Sequence, residues 1–351
     1  MILTNHQVQA QYSMNILSLF DGMSCGRVAL ERAGVPITNY YASEIDKYAL
    51  KVSKHNYPDI IQLGDVKELK ADSLPKIDLV IGGFPCQSFS LSGKQLGFED
   101  ARGTLFYECV RLLEEVKPTY FLFENVGMKK EYEDYISNAL GVEPIIINSS
   151  LVSAQNRKRL YWTNIPNVAQ PEYKGITWVD IREYGVNSEN YYYSHTALQW
   201  LIRSSRKRDK HLTIHGNDDK MQMLEASHCK KYSNQRFFGI LDKPSSVAKY
   251  NSMVEEYGIQ FETQDAVFLK HDDIKNCLYS VDKDGNRQDF TKEDTFTDYT
   301  SFVRYITPIE CERLQTLPDG YTACVSNTQR YKMLGNGWTV DVITHILKGL
   351  K

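Results

Sequence analysis

Residues Asn15–Gly34 read NILSLFDGMSCGRVALERAG, and the strand, turn and helix written into them decide the fold. NILSLF is a short apolar run suited to a covered strand, and the small residues after it allow a tight turn. GRVALERAG then has helical spacing and is closed by Gly34, a residue that accepts the left-handed conformation at a helix end. The pattern repeats outward. NYYASEID gives a second strand ending near Glu44, IDLVIGG a third, LFYECVRLLEEV an amphipathic helix and YFLFENV another strand. EPIIINSSLVS and RLYWTNI follow. Strands separated by helices at this spacing predict an α/β domain with a largely parallel sheet.

Past about Asn164 the sequence turns polar and irregular, rich in Tyr, Ser, Asn and Lys, until about Phe302. It reads as a second region of loops and short strands. ITPIECERLQTLPDGYT and LGNGWTVDVITHILKGL look ordered again, the last with the spacing of a helix. The expected division is a domain over 14–165, a mixed, loop-rich region over 166–302 and a return segment over 303–351. Residues 1–13 are expected to be an N-terminal extension or a mis-called start, since Met14 begins the motif-bearing chain.

The 351 residues carry 42% hydrophobic and 24% charged residues, a globular composition with ample length for a core. No apolar run reaches about 18 residues and the N-terminus lacks a signal-peptide core, so the chain is expected to be cytoplasmic with no membrane partner. Seven cysteines without a CxxC pair argue against both a disulfide framework and a structural zinc site. The net charge of −3 gives no global sign of a polyanion partner, but a local basic face such as RSSRKRDKH could supply one.

In open parallel sheets ligands bind outside the carboxyl ends of the strands, so the residues standing there matter most. They are the FDGMSCG turn, Glu44, Asp65, Cys86 after Pro85, and Glu124. Glu44 lies about 20 residues past the glycine turn, where nucleotide-binding α/β folds present a carboxylate to ribose hydroxyls. There is neither GxGxxG nor a GxxxxGK[ST] loop, so the ligand need not carry a pyrophosphate. S-adenosylmethionine fits that description. Cys86 on its stiff loop is either a nucleophile or a small buried hydrophobe, and the segment alone leaves both open.

FPCQSFS, FENV and QNRKR, in that order after LFDGMSCG, resemble the motif series of the cytosine-5 DNA methyltransferases. The wording of LSLFDG, ASE, DLVIGG and LFENV is similar to the animal de novo branch and to related bacterial and phage enzymes. The resemblance implies a Rossmann-like, S-adenosylmethionine-dependent methyltransferase fold with a smaller target-recognition domain and no metal. It implies that Cys86 adds to carbon 6 of cytosine, that Glu124 meets ring nitrogen 3, and that Arg157 and Arg159 supply positive charge. Alternating along a strand start, these two arginines are expected to share a face.

For the cofactor, the resemblance implies a pocket drawn from Phe20, Asp21, Gly22, Ser24, Gly26, Glu44, Ile45, Asp65, Val66, Pro85, Leu105, Asn336, Trp338 and Thr339. Phe20 packs near the adenine, Glu44 takes the ribose hydroxyls, Ile45 a ring face and Asp65 the adenine amino group. Ser24 departs from the family form, which has a second glycine there; Gly26 is expected to compensate. The partner implied is double-stranded DNA, with the target base flipped out because a stacked cytosine hides carbon 6. Gln87, Ser88, Asn125 and Gln155 are candidate nucleotide contacts, with Asn125 also orienting its loop. Arg203, Arg206, Lys207 and Arg208 are candidate phosphate contacts, and Lys230, Lys231, Asn234, Gln235 and Arg236 candidate base readers. A cognate restriction endonuclease is a further expected partner, though a solitary methylase fits too, and a monomer is favoured. The alternatives are a transfer-RNA cytosine-5 methyltransferase on the same scaffold and a non-catalytic DNA-binding relative.

Overall fold

The computed structural model describes residues 13–85, 105–183 and 303–350, Tyr191, residues 220–224, and strand segments 212–215, 238–241, 267–272, 277–281 and 287–290. Two compact units divide the chain. One comprises Met1–Ile147, Lys158–Pro171 and Val340–Lys351, the other Asn148–Arg157 and Glu172–Thr339. The first part of the return segment, through Thr339, therefore belongs with the second unit.

In the first unit, β1 (Met14–Leu19), β2 (Ile37–Ser43), β3 (Ile61–Gln62), β4 (Leu79–Gly82), β5 (Tyr120–Asn125), β6 (Ile145–Asn148) and β8 (Lys158–Thr163) form one sheet. Their order is β3-β2-β1-β4-β5-β8-β6. The pairs from β3 to β5 are parallel, and β8 runs antiparallel to β5. β1 and β4 read as continuous apolar runs because both faces are covered: Ile16, Leu17, Leu19, Leu79, Val80 and Ile81 are fully buried. Each such side chain contributes roughly 1.5–3 kcal/mol of burial.

Helices α1 (Cys25–Ala33), α2 (Lys47–Asn56), α3 (Leu105–Val116) and α4 (Lys130–Leu140) accompany the sheet. Gly34 closes α1 in the left-handed conformation, its N–H donating to Glu31 O. Asp46 caps α2 by accepting from Tyr48 N and Ala49 N. α3 turns Phe106, Cys109 and Leu112 inward, one turn apart, against Phe84, Phe123 and Trp162. The C-terminal helix Val340–Leu347 packs back on α1, where Asp341 pairs with Arg32 at 2.9 Å.

In the second unit, β9 (Leu212–His215), β11 (Phe238–Leu241), β12 (Val267–Asp272), β13 (Cys277–Val281), β14 (Arg287–Phe290) and β15 (Val303–Arg304) form a sheet ordered β14-β13-β12-β9-β11-β15. It is antiparallel except where β9 meets β11. β7 (Gln155–Asn156) pairs in parallel with β10 (Met221–Gln222). A short helix, α5 (Trp178–Ile181), precedes two longer ones from the return segment, α6 (Pro308–Leu314) and α7 (Asn327–Asn336); Val340–Leu347 is then α8. Thr307 and Glu310 form a reciprocal cap on α6, and Glu312, wholly buried, pairs with Arg330 at 2.9 Å. None of the described helices is long and apolar enough to cross a membrane.

Gly82 is a tight point of the sheet in the first unit. A Cβ there would lie 2.9 Å from Leu19 O and 3.2 Å from both Leu19 Cβ and Phe123 Cε1. Gly82→Ala should therefore lower the unfolding free energy by about 1–3 kcal/mol through overpacking. Urea unfolding measures it, and an unchanged midpoint would contradict the packing described.

Candidate active site

The carboxyl ends of β1 to β5 carry the expected residues. After β1, Phe20, Gly22 and Ser24 alternate through the left-handed region at φ 55°, 61° and 66°. The turn they make brings Gly22 N within 2.8 Å of Glu44 Oε2, at the end of β2. Glu44 Oε1 accepts from Ile45 N and Asp46 N, both at 2.7 Å. A carboxylate has about four acceptor positions, and three are thus taken, which fixes its orientation. Ile45, beside it, is 71% exposed, and a Cβ built on Gly22 meets nothing within 4 Å. An oriented carboxylate, an exposed apolar side chain, half-buried Phe20 and an open approach to the Gly22 backbone fit a nucleoside.

At the end of β3, Asp65 accepts from Lys67 N at 3.0 Å and starts a short 3₁₀ turn. Val66 is buried, and its carbonyl accepts from Arg111. Pro85, half-buried, ends the described chain after β4, and Leu105, also half-buried, opens α3 against the core. Cys86, Gln87 and Ser88 lie outside the described residues, as do Arg203, Arg206, Lys207, Arg208, Lys230, Lys231, Asn234, Gln235 and Arg236.

Glu124, at the end of β5, is 9% exposed and pairs with Arg159 of β8, Oε1 to Nε at 2.9 Å. β5 and β8 place Glu124 opposite Tyr161, so Arg159 reaches it diagonally across the antiparallel ladder. Asn125, buried beside it, donates to Phe84 O at 3.2 Å and accepts from Val126 N at 2.8 Å. It ties the end of β5 to the residue before Pro85. That geometry suits the orienting part expected of Asn125.

Several expected pocket residues turn out to be buried supports. Asp21 does not face the rim; its carboxylate accepts from Ser18 Oγ, Ser24 Oγ and Tyr40 OH at 2.6–2.7 Å. Burial pushes the Asp21 carboxyl above its ordinary value, against the pull of those hydroxyls. Gly26 is buried inside α1. Ser18 and Ser24 flank Asp21 at three-residue spacing, a turn signal legible in the sequence, whereas Tyr40 is brought in by the fold.

In the second unit, Gln155 is fully buried and its amide donates to Leu314 O at 2.7 Å and to Gln315 Oε1 at 3.0 Å. Thr339, expected in the pocket, is 1% exposed: its Oγ1 donates to Gln315 Oε1 at 2.9 Å and accepts from Ser149 Oγ. Asn336 is exposed and Trp338 half-buried. Arg157 precedes β8 and donates to Leu224 O, Gly335 O and Gly337 O. Arg157 closes carbonyls of the second unit, and Arg159 holds Glu124 in the first. The strand begins only at Lys158, so the expected alternation starts too late to include both.

The cysteines differ sharply. Cys25, Cys109 and Cys311 are buried, and burial pushes the thiols of Cys109 and Cys311 well above the ordinary value, which makes them poor nucleophiles. Cys324 is half-buried in the second unit.

The ion pair gives a test. Arg159→Ala leaves a nearly buried carboxylate without this partner and should cost about 3 kcal/mol of stability. Adding Glu124→Gln should recover part of that loss in a double-mutant cycle read by urea unfolding, whereas strict additivity would show that the two side chains do not interact.

The profile of the family described as C-5 cytosine-specific DNA methylase matches residues 14–351. The type II methyltransferase M.NlaIV of Neisseria lactamica is 30% identical over 312 residues, 78% of this chain and 72% of that protein. The orphan methyltransferase M.SPRI of Bacillus phage SPR is 26% identical over 96% of this chain and 97% of its own length. A solved structure of a Spodoptera frugiperda DNMT2 mutant has the same fold, with a TM-score of 0.66 at 20% identity, covering 96% of this chain and 99% of that one. With the profile spanning both units and the carboxylates in place at the sheet edge, the chain belongs to the C-5 cytosine-specific DNA methylase family and is a DNA cytosine-5 methyltransferase.

Proposed function

We propose that the methyl donor is S-adenosylmethionine, that the acceptor is a cytosine flipped out of a specific duplex sequence, and that Cys86 is the nucleophile. The observation that carries this reading is the common edge shared by Glu44 and Glu124. They end β2 and β5 of one sheet, and β4 between them runs into Pro85, the residue before Cys86. Glu44 is oriented to receive ribose hydroxyls, Ile45 and Phe20 offer apolar surface to a purine, and Gly22 lets the ligand approach the backbone. S-adenosylmethionine, when bound, supplies the electrophilic methyl group.

Carbon 5 of cytosine is a poor nucleophile until a thiolate adds to carbon 6. Addition of Cys86 Sγ forms the carbon–sulfur bond and moves the ring electrons toward nitrogen 3 and carbon 5. A proton carried by the Glu124 carboxyl group is donated to nitrogen 3 as that charge develops and returns when the ring is restored, and Arg159 holds the group in position. Once carbon 5 is methylated, its proton leaves to a base and the carbon 6–sulfur bond breaks, restoring the ring and the thiolate. Residues 166–302 are the proposed target-recognition region, with the basic residues named above positioning the duplex.

The experiment is transfer of labelled methyl groups to duplex DNA and to transfer RNA in parallel. Label should enter the DNA. Cys86→Ala should lose at least about a thousandfold in rate, the loss expected when a covalent nucleophile is removed, with DNA affinity retained. Label entering transfer RNA alone would overturn the substrate, and a Cys86→Ala variant of wild-type rate would overturn the nucleophile.

A further inference from the structure

Resting on the donor assignment just proposed, we infer that Ser24 and Asp21 are positioning residues for the cofactor, acting through the shape of the turn that holds Gly22 against Glu44. The turn is strained. Phe20 and Ser24 both sit in the left-handed region, at φ 55° and 66°, where a side chain crowds the backbone and glycine is the usual occupant. Such residues persist when their surroundings over-determine them. Here the surroundings are a buried polar cluster directly beneath the turn.

Asp21 Oδ1 accepts from Ser18 Oγ and Tyr40 OH, both at 2.7 Å, and Oδ2 from Ser24 Oγ at 2.6 Å. Ser24 Oγ also lies 2.8 Å from Ser53 Oγ, which accepts from Gln62 Nε2 at 3.1 Å. The backbone adds Asp21 N to Ser43 O and Ser24 N to Asp21 O, each at 3.1 Å. The cluster thus joins β1, the turn, β2 and α2, and Gly22, between its two anchors Asp21 and Ser24, is left to point its N–H at Glu44 Oε2. Ser24 is wholly buried and both oxygens of the Asp21 carboxylate accept from hydroxyls, which commits both side chains to the turn. Their effect on the ligand passes through Gly22 and Glu44. The hydroxyl of Ser24 does by hydrogen bonding what a glycine in that position does by lacking a side chain: it makes the left-handed turn affordable.

The test compares Ser24→Ala with Ser24→Gly. Both remove the hydroxyl, but only alanine keeps the strain. Equilibrium binding of S-adenosylmethionine and of S-adenosylhomocysteine is read by calorimetry without turnover, together with KM and kcat on duplex DNA. Ser24→Ala should weaken binding of both ligands about tenfold, a free-energy change within the usual cost of one strained backbone residue. KM for the donor should rise in step while kcat stays within about twofold, since the loss falls on uniform binding. Ser24→Gly should bind within about threefold of the wild type, because the turn then needs no hydroxyl to hold it. Asp21→Asn, which keeps two acceptor bonds on one oxygen, should fall between the two. Alanine binding as tightly as wild type, or glycine binding as weakly as alanine, overturns the inference. Wild-type protein that binds neither ligand overturns the donor assignment itself, a result distinct from any difference among variants.

Discussion

The first unit depends on how closely β1, β4 and β5 approach at Gly82. With Leu19 O 2.9 Å from where a Cβ would stand, and Phe123 on the other side, only glycine permits this spacing. The consequence reaches beyond packing. The three strands end at one level, so the turn after β1, Pro85 after β4 and Glu124 on β5 share one edge. A side chain at Gly82 would disturb the relative height of the chain segments that carry the chemistry. Stability and function are set by the same few ångströms.

Around that edge, buried polar groups act as fixings rather than ligands. Asp21 holds the turn, Asn125 ties β5 to Phe84, and Arg159 holds Glu124. The second unit uses the same device: Gln155, Gln315 and Arg157 close the backbone carbonyls of Leu314, Leu334, Gly335 and Gly337, and Thr339 donates to the Gln315 side chain. Buried groups of this kind cost desolvation that only complete pairing offsets, and a half-satisfied network is worse than an apolar one. Their value lies in geometry, because they hold one arrangement of loops that apolar packing alone would leave adjustable.

β1, α1, β2, β4, α3 and β5 of the first unit were legible because hydrophobic period and the closing Gly34 agree locally, whereas α2 and α4 were not read. LFYECVRLLEEV forms α3 from its first residue to its last. Glu44 and Glu124 were legible as candidates because strand ends in a parallel sheet face one way. Burial was not legible. Nothing in QNRKR distinguishes Gln155, enclosed on all sides, from Arg159, whose partner lies 35 residues earlier on β5. Thr339 likewise looks like a pocket residue until the partners of its hydroxyl, Ser149 and Gln315, are brought in from distant sequence. Ser24 stood out as a departure from the family pattern, but its hydrogen bonds to Asp21 and Ser53 were not legible.

The central claim is that Cys86 attacks carbon 6 of a cytosine presented at this edge, and a trapped adduct tests it most directly. A duplex in which fluorine replaces the carbon 5 hydrogen of the target cytosine has no proton to lose after methylation, so the carbon 6–sulfur bond should persist. Incubation with S-adenosylmethionine, denaturing electrophoresis and peptide mass mapping should show a covalent protein–DNA complex joined at Cys86. Efficient methylation of ordinary duplex DNA, with the fluorinated duplex joined to another residue or to none, would contradict the account.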